Sequence, residues 1–347
     1  MITHPTPQRQ LRGHMPQRPT PRTATSGEHH AHLAARLTPR DRWLARMLYE
    51  HRVLTTDHIV NLCYPSARAA NHRLLELFHW RVIDRFQPFI TSGTSPMHYV
   101  LDIAGAVALA YEDGLDPKKI RYRHEDAIGI SHSLRLAHTV GINTFFASLV
   151  AASRQPTVSG QLTAWWSERR CEHLYGDIVR PDAYGRWRER GQNTEFFLEY
   201  DTGTEPLNKL ADKLHDYYNL ATTTGITTPV LVLLVSNRRE TTARNALAAA
   251  LSQLDQPELV PVATSTTDLT NTHNLSTPTW LPINGSTTHQ PTRTQLPDLT
   301  RVWPHLAPPV SIQPATHAPT TPPTELAAPN PLPPSASPAS FQHGDEP

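Results

Sequence analysis

Glu195-Phe196-Phe197-Leu198-Glu199-Tyr200-Asp201, then Thr202-Gly203-Thr204-Glu205, then Leu207, Leu210, Leu214 and Tyr217 at helical spacing, is the stretch from which the fold is read. The first run is aromatic and aliphatic and reads as a strand. The second is turn chemistry, and the third predicts a helix from Pro206 to Leu220. Downstream, Pro229-Val230-Leu231-Val232-Leu233-Leu234-Val235 is so continuously aliphatic that it suits a strand buried on both faces, and a helix from Arg239 to Leu251 follows it. Upstream, Ser131 to Val150 places Leu134, Leu136, Val140, Ile142, Phe145, Phe146, Leu149 and Val150 in a helical pattern. Leu162 to Glu168 and Asp177 to Trp187 read as two strands after it. The order expected over residues 126–255 is therefore αβββαβα, a sheet with helices packed on it.

That order puts carboxylates side by side. Strand side chains alternate, so Glu199 and Asp201 point to one face, and Asp182 in Arg180-Pro181-Asp182 on the neighbouring strand is expected to join them. Three converging carboxylates form a hard-oxygen site suited to Mg²⁺ or Mn²⁺, with Asp182, Glu199 and Asp201 as the expected metal ligands. Such an ion lowers the pKa of a bound water and offsets the charge that grows on a phosphodiester oxygen. Glu168, at the end of the first strand, is a possible fourth carboxylate. Strand-end carboxylates are also commonly just solvated, and that reading stays open beside the catalytic one.

The arrangement resembles the restriction-endonuclease-like nucleases, whose PD-(D/E)XK signature is Pro-Asp on one strand and Glu-x-Lys on the next. Here Asp201 stands where that signature has lysine. The resemblance implies that the missing ammonium comes from a neighbouring helix, where Lys209 and Lys213 lie one turn apart and Lys213 shares the helix surface with Tyr217. The expected catalytic set is Asp182, Glu199, Asp201, Lys209 and Lys213, with Mg²⁺ as cofactor if the site cuts. A fold of this type that holds DNA without cutting it is the other reading.

Residues 37–125 have a different pattern. Thr38-Pro39 is a cap followed by proline at the first helical position, and Trp43, Leu44, Met47 and Leu48 form one stripe of a helix over 39–51. Thr55-Thr56 starts a second helix that Pro65 stops. Ser66 caps a third, with Ala67, Ala70, Leu74, Leu77 and Phe78 on one face and Arg68, Ala69, His72 and Arg73 on the other. Val82 to Phe86 and His98 to Leu101 read as a two-stranded wing, and a helix from Ile103 to Glu112 closes the unit. Three short helices and a wing predict a winged helix-turn-helix that binds double-stranded DNA. Arg68 suits guanine and Asn71 adenine, His72 and Arg73 share the helix face, and Arg85 on the wing is placed for phosphate. The same three helices can also serve as a protein-contact module. Lys118, Lys119, Arg121 and Arg123 around Tyr122 are either a phosphate-binding patch or a solvated linker.

The ends look different again. Residues 1–36 are proline-rich and basic, with five arginines against one acidic residue, and read as a disordered arm. From residue 256 the chain fills with Pro, Thr, Ser and Asn and shows no apolar period, so 256–347 is expected to be a disordered tail. The stretch His29-His30-x-His32 falls in the arm and reads as incidental. Cys63 and Cys171 lack paired spacing, which fits a reducing compartment. No continuous apolar run of spanning length and no apolar signal region is evident. A cytoplasmic protein without a membrane partner is expected; the net charge of +1 says little about partners.

Taken together, Leu37-Thr38-Pro39-Arg40-Asp41, Arg180-Pro181-Asp182-Ala183, and Phe197 through Glu205 followed by Lys209, Lys213 and Tyr217 resemble the replication-relaxation family of plasmids and integrative elements. The resemblance covers residues 37–251. It implies a role in plasmid replication or in the DNA relaxation that precedes conjugation, with a relaxase or replication initiator as a possible protein partner. The functions expected are a plasmid or mobile-element DNA-binding protein that nicks DNA with Mg²⁺, or a non-enzymatic regulator or adaptor. Neither the oligomeric state nor the DNA sequence is legible.

Overall fold

The computed structural model of the chain describes residues 26–90, 93–118, 122–156, 158–270, 277–283, 292–306 and 326–334. It is a mixed α/β protein with twelve α-helices and two sheets among the described residues. The first part runs α1 (Gly27–Arg36), α2 (Pro39–His51), β1 (Leu54–Thr55), α3 (Thr56–Cys63), α4 (Ala67–His79), β2 (Ile83–Phe86), β3 (His98–Leu101) and α5 (Ile103–Glu112). After α6 (His124–Gly129) come α7 (Leu136–Ser153), β4 (Gln161–Ser167), α8 (Glu168–Tyr175), β5 (Ala183–Glu189), β6 (Gln192–Asp201), α9 (Leu207–Thr224), β7 (Val230–Leu234) and α10 (Asn237–Leu251). The last elements are β8 (Val262–Thr266), α11 (Thr267–Thr270), β9 (Leu281–Pro282) and α12 (Leu299–Val302).

Local chemistry explains the helix starts. The Thr38 hydroxyl accepts from the Asp41 amide at 3.2 Å while the Asp41 carboxylate accepts from the Thr38 amide at 2.8 Å. This reciprocal cap supplies two partners that the first turn of α2 lacks. Thr55 and His58 form a second reciprocal cap on α3, and the Ser66 hydroxyl accepts from the Ala69 amide at the start of α4. The stripes expected on these helices are buried: Leu44, Met47, Leu48, Ile59, Leu62, Leu74 and Leu77 are at most 1% exposed. β2 and β3 pair antiparallel, and β1 joins the other edge of β3, giving a small sheet of order β1-β3-β2.

The larger sheet has order β4-β5-β6-β7-β8-β9. β4, β5 and β6 form an antiparallel meander, whereas β6, β7 and β8 are parallel and are connected through α9 and α10. The central β7 is buried along its whole length, as its aliphatic run predicts. α7 covers one face of the sheet, where the Phe146 ring stacks against Trp165 and Phe196 at centroid distances of 5.0 and 6.0 Å. Leu214, Tyr217, Leu220, Leu247 and Leu251 of α9 and α10 cover the other, against Val230, Val232, Leu234 and Val262. By length and composition α7 could cross a membrane, but its Phe146, Ala147, Val150 and Ala152 have no exposed surface in the fold.

Four expectations need correction. α8 is inserted between the first two strands of the larger sheet, so β5 begins at Ala183 rather than Asp177; Pro181, with no amide hydrogen to give a ladder, precedes it. Second, the chain does not lose structure at residue 256. β8 pairs in parallel with β7, and Trp280, Leu296, Leu299 and Trp303 are buried in the principal core. Short apolar segments between prolines have no period to betray them, yet a sheet edge can still recruit them. Third, α1 lies within the supposed basic arm, with Leu33 1% exposed; residues 1–25 lie outside the described residues, as do 271–276, 284–291, 307–325 and 335–347 of the tail. Fourth, the two sequence-defined units share one core. The Asn143 side chain of α7 donates to the Val53 carbonyl at 2.6 Å, the His51 ring stacks on Trp165 at 3.6 Å, and Glu50 pairs with Arg170 at 2.7 Å.

Candidate functional site

The strand register places the first two carboxylates. Ala183 pairs with Leu198, so Asp182 and Glu199 come next to each other as the β5–β6 ladder ends, and the Tyr200 amide donates to Asp182 Oδ2 at 2.9 Å. Both side chains are buried, at 7% and 2% exposure. α9 then returns across the strand ends with Lys209, Lys213 and Tyr217 four residues apart, on one helical stripe. Lys213 Nζ donates to Glu199 Oε2 at 2.5 Å, to Asp182 Oδ1 at 3.4 Å and to the Arg180 carbonyl at 3.3 Å. The Tyr217 hydroxyl donates to the remaining Glu199 oxygen, Oε1, at 2.6 Å. One ammonium thus reaches both carboxylates from the helix rather than from the strand.

A residue not anticipated from the sequence completes the cluster. His138 of α7 brings Nε2 within 3.3 Å of Asp182 Oδ2, and its ring meets Tyr200 edge-on at 5.7 Å. Gly141, one turn later, makes this approach feasible: a Cβ there would lie 2.3 Å from the Tyr200 ring. The sequence signal, a histidine one turn before a glycine within an otherwise apolar helix, is weak by itself.

Electrostatics divide the two carboxylates. Burial alone would raise Asp182, but the charges on His138 and Lys213 and the Tyr200 amide hold it well below the usual carboxylate range. Glu199 is pushed up to about 7, by burial first and then by the Asp182 charge, which outweigh Lys213 and the Tyr217 hydroxyl. Burial would lower His138, and its Asp182 neighbour raises it above the ordinary histidine value. One ammonium shared by two buried carboxylates leaves Glu199 short of positive charge near neutral pH.

Asp201 does not join this pair. It lies on the same cleft, but its Oδ2 accepts from Arg239 Nε at 2.6 Å and its Oδ1 from the Gly203 amide at 2.9 Å. Gly203 adopts φ +76°, a left-handed turn that glycine permits. The expected three-carboxylate metal set is therefore two carboxylates and a loop anchor. Among the described residues, the set of three acidic or histidine side chains whose ligand atoms approach within 4.8 Å of one another is Asp84, Asp102 and His124, outside the cleft. Lys209 is exposed, 3.9 Å from Glu205. Glu168 lines the cleft as well and is paired with Arg135 at 2.5 Å. Asp182, Glu199, Asp201, Lys209 and Lys213 all line one cleft of about 690 Å³, together with Arg135, His138, Arg180 and Arg239.

In the first unit, Arg68, Asn71 and His72 are exposed on the first turns of α4. Arg73 is not presented in the same way. Its guanidinium donates to Asp41 at 2.6 Å and to Glu76 at 2.7 Å and lies 4.9 Å from the Trp80 ring, so it fastens α4 to α2. Arg85 is folded over the Phe78 ring at 4.4 Å. Of the basic patch, Lys119 and Arg121 lie outside the described residues, and the Tyr122 hydroxyl donates to the Leu101 carbonyl. Cys63 and Cys171 are free thiols buried in the cores.

The family model for replication-relaxation matches residues 46–233, which takes in α3, α4, the small sheet and every member of the His138, Asp182, Glu199, Lys213 and Tyr217 cluster. No curated protein and no solved structure matches the chain.

Proposed function

The chain belongs to the replication-relaxation family, and from that premise we propose that it is a cytoplasmic plasmid or mobile-element DNA-handling protein with a recognition unit and a phosphodiester-directed site. Residues 37–125 are read as a winged helix-turn-helix that selects duplex DNA through the exposed start of α4, with Arg68, Asn71 and His72 facing the groove. The cleft is read as a PD-(D/E)XK-like site that nicks the strand. The observation that carries this reading is Lys213, whose ammonium bridges Asp182 and Glu199 from the neighbouring helix and so supplies the charge absent from the third strand.

Mg²⁺ fits the donor set. Magnesium is usually held by one or two carboxylates, with water and substrate phosphate completing its shell, so Asp182 and Glu199 suffice without Asp201. The ion would supply charge stabilisation for a phosphodiester oxygen as it becomes more negative. Around it the chain's own groups do the positioning. Tyr217 fixes one Glu199 oxygen, the Tyr200 amide fixes one Asp182 oxygen, and Arg239 with Asp201 holds the Thr202–Glu205 loop at the mouth.

A second reading, a non-enzymatic adaptor or regulator that delivers a relaxase or replication initiator to DNA, is favoured by one feature. Each of the three carboxylates already has a cation beside it: His138 at Asp182, Lys213 at Glu199 and Arg239 at Asp201. Incubation of supercoiled plasmid carrying the cognate origin with the protein and Mg²⁺ separates the two. Conversion to the open circular form, abolished by Asp182→Ala and Glu199→Ala, is expected of the nuclease. Specific binding with an unchanged plasmid, or nicking that survives both substitutions, overturns it.

A further inference from the structure

Nine residues from the proline-rich end, 326–334 (Leu-Ala-Ala-Pro-Asn-Pro-Leu-Pro-Pro), lie on the folded body although they form neither helix nor strand. Two donors read their carbonyls. The Trp43 indole Nε1 donates to the Asn330 carbonyl at 2.7 Å, and Arg170 Nη2 donates to the Leu326 carbonyl at 3.1 Å. Leu326 is 2% exposed within the principal core, Pro329 and Pro331 are buried, and Leu332 packs against the same core.

The anchors fit an extended ligand. Arg170 is held by Glu50, through Nε at 2.9 Å and Nη2 at 2.7 Å, and Trp43 and Glu50 lie seven residues apart, two turns along one face of α2. Two turns of helix measure about 11 Å. From Leu326 to Asn330 the chain advances four residues, about 12 Å if fully extended in polyproline fashion. The segment therefore runs along α2 from the Glu50 end to the Trp43 end. Prolines have no amide hydrogen, so carbonyls and ring surface are what such a segment offers. An aromatic N–H and a guanidinium beside apolar seats are what reads it.

We infer that the surface between Trp43 and Arg170 is a recognition site for a proline-rich peptide, filled in cis by residues 326–334 as a latch across the junction of the two units. Residues 307–325 separate the latch from Leu306, and a tether of about twenty residues gives an effective concentration of order millimolar. A seat filled in cis must therefore bind the free peptide with a Kd of about 1 mM or tighter.

The test uses the full chain with Leu326→Asp, a change confined to the latch whose buried charge is expected to detach it, and a fluorescent synthetic peptide covering residues 324–336. Saturable binding to this variant is expected by anisotropy. The unsubstituted chain should bind at least about twofold more weakly because its own segment competes. Adding Trp43→Phe to the Leu326→Asp chain should weaken binding about tenfold. A peptide with aspartate at the positions of Pro329 and Pro331 should not bind, a control that leaves the protein's folding untouched. No binding at several millimolar, or equal binding of both peptides, overturns the site. A dimer of the unsubstituted chain that Leu326→Asp converts to monomer overturns the cis assignment in favour of exchange between copies.

Discussion

Lys213 Nζ lies 2.5 Å from Glu199 Oε2, joining a helix to a strand across the mouth of a cleft. The contact is the structural pivot of the site, because the same ammonium also reaches Asp182. Lys213→Met leaves two buried carboxylates facing each other, and removal of one partner from a buried pair is destabilising. The lysine side chain is 31% exposed, which screens the pair, so a loss of about 2 kcal/mol is expected at pH 8. At pH 5.5 Glu199 takes up a proton in place of the lysine, and the loss should shrink. Urea denaturation at the two pH values measures it; an equal loss at both would show that the lysine does not offset a charge on Glu199.

The pH dependence has a definite sign. Glu199 titrates near 4.5 ordinarily and about 7 when folded, so between these values the folded chain keeps a proton that the unfolded chain has released. Stability from this group is full below about 4.5 and falls as pH rises through 7. His138, also raised, adds a decline above its ordinary value of 6.5. Glu50, lowered to about 2 by Arg170 and His51 against its burial, adds stability as pH rises to about 5.5 and no slope above that. Buried His51, His58 and His98, held below the ordinary histidine range by burial, set an opposing rise in the same window. Glu199→Gln should therefore remove one declining contribution and make the unfolding free energy climb more steeply between about pH 5 and 7 than in the unsubstituted chain, read from denaturant midpoints. A variant with the slope of the unsubstituted chain would place the titration elsewhere.

How far the sequence revealed this site depends on how local each determinant is. Capping residues and stripes in 37–112 act within one or two turns, and there the expected helices and the two expected strands fall within about a residue; β1, two residues long, has no pattern of its own to announce it. Asp182, Glu199 and Lys213 were legible because strand alternation and a fourfold helical spacing fix their faces. Asp201 shares a face with Glu199, yet Arg239, 38 positions later, decides where its carboxylate goes. His138 depends on a close approach of α7 to Tyr200 that no periodicity encodes. β8 is a five-residue strand whose burial comes from the neighbouring β7 more than from its own composition.

Arg68 and Arg73, five positions apart on α4, should behave oppositely. Arg68 is exposed at the start of the helix, so Arg68→Ala should leave the melting temperature unchanged and, on the proposed groove-reading role of α4, cost about 1–3 kcal/mol at one base position. Arg73 pairs with Asp41, which is 1% exposed, and its loss leaves a buried carboxylate with the Thr38 hydrogen bonds but no neutralising charge. Arg73→Ala should destabilise the chain by about 3 kcal/mol with no change in the sequence preference of what remains folded. Thermal melts and a binding panel of single-base variants check both. A specificity loss in Arg73→Ala without a change in melting would return that residue to the groove.

Gly141 offers the sharpest test of how the site is assembled. In the interior of an exposed helix, Gly→Ala stabilises by about 1 kcal/mol, because alanine loses less backbone freedom on folding. Here the added Cβ would meet the Tyr200 ring carbons at 2.3 Å and its hydroxyl at 2.6 Å, and the ring is 5% exposed and packed edge-on against His138. The ring cannot move without displacing its neighbours, and overpacking of this kind costs about 1–3 kcal/mol. The net effect of Gly141→Ala alone should therefore be destabilising. In a Tyr200→Leu background the collision is removed and only the helix term remains, so the sign of the same substitution should reverse. Chemical denaturation of the four proteins in the cycle gives both values. The same sign in both backgrounds would mean that α7 does not lean on Tyr200, and His138 would lose the approach that brings it to Asp182.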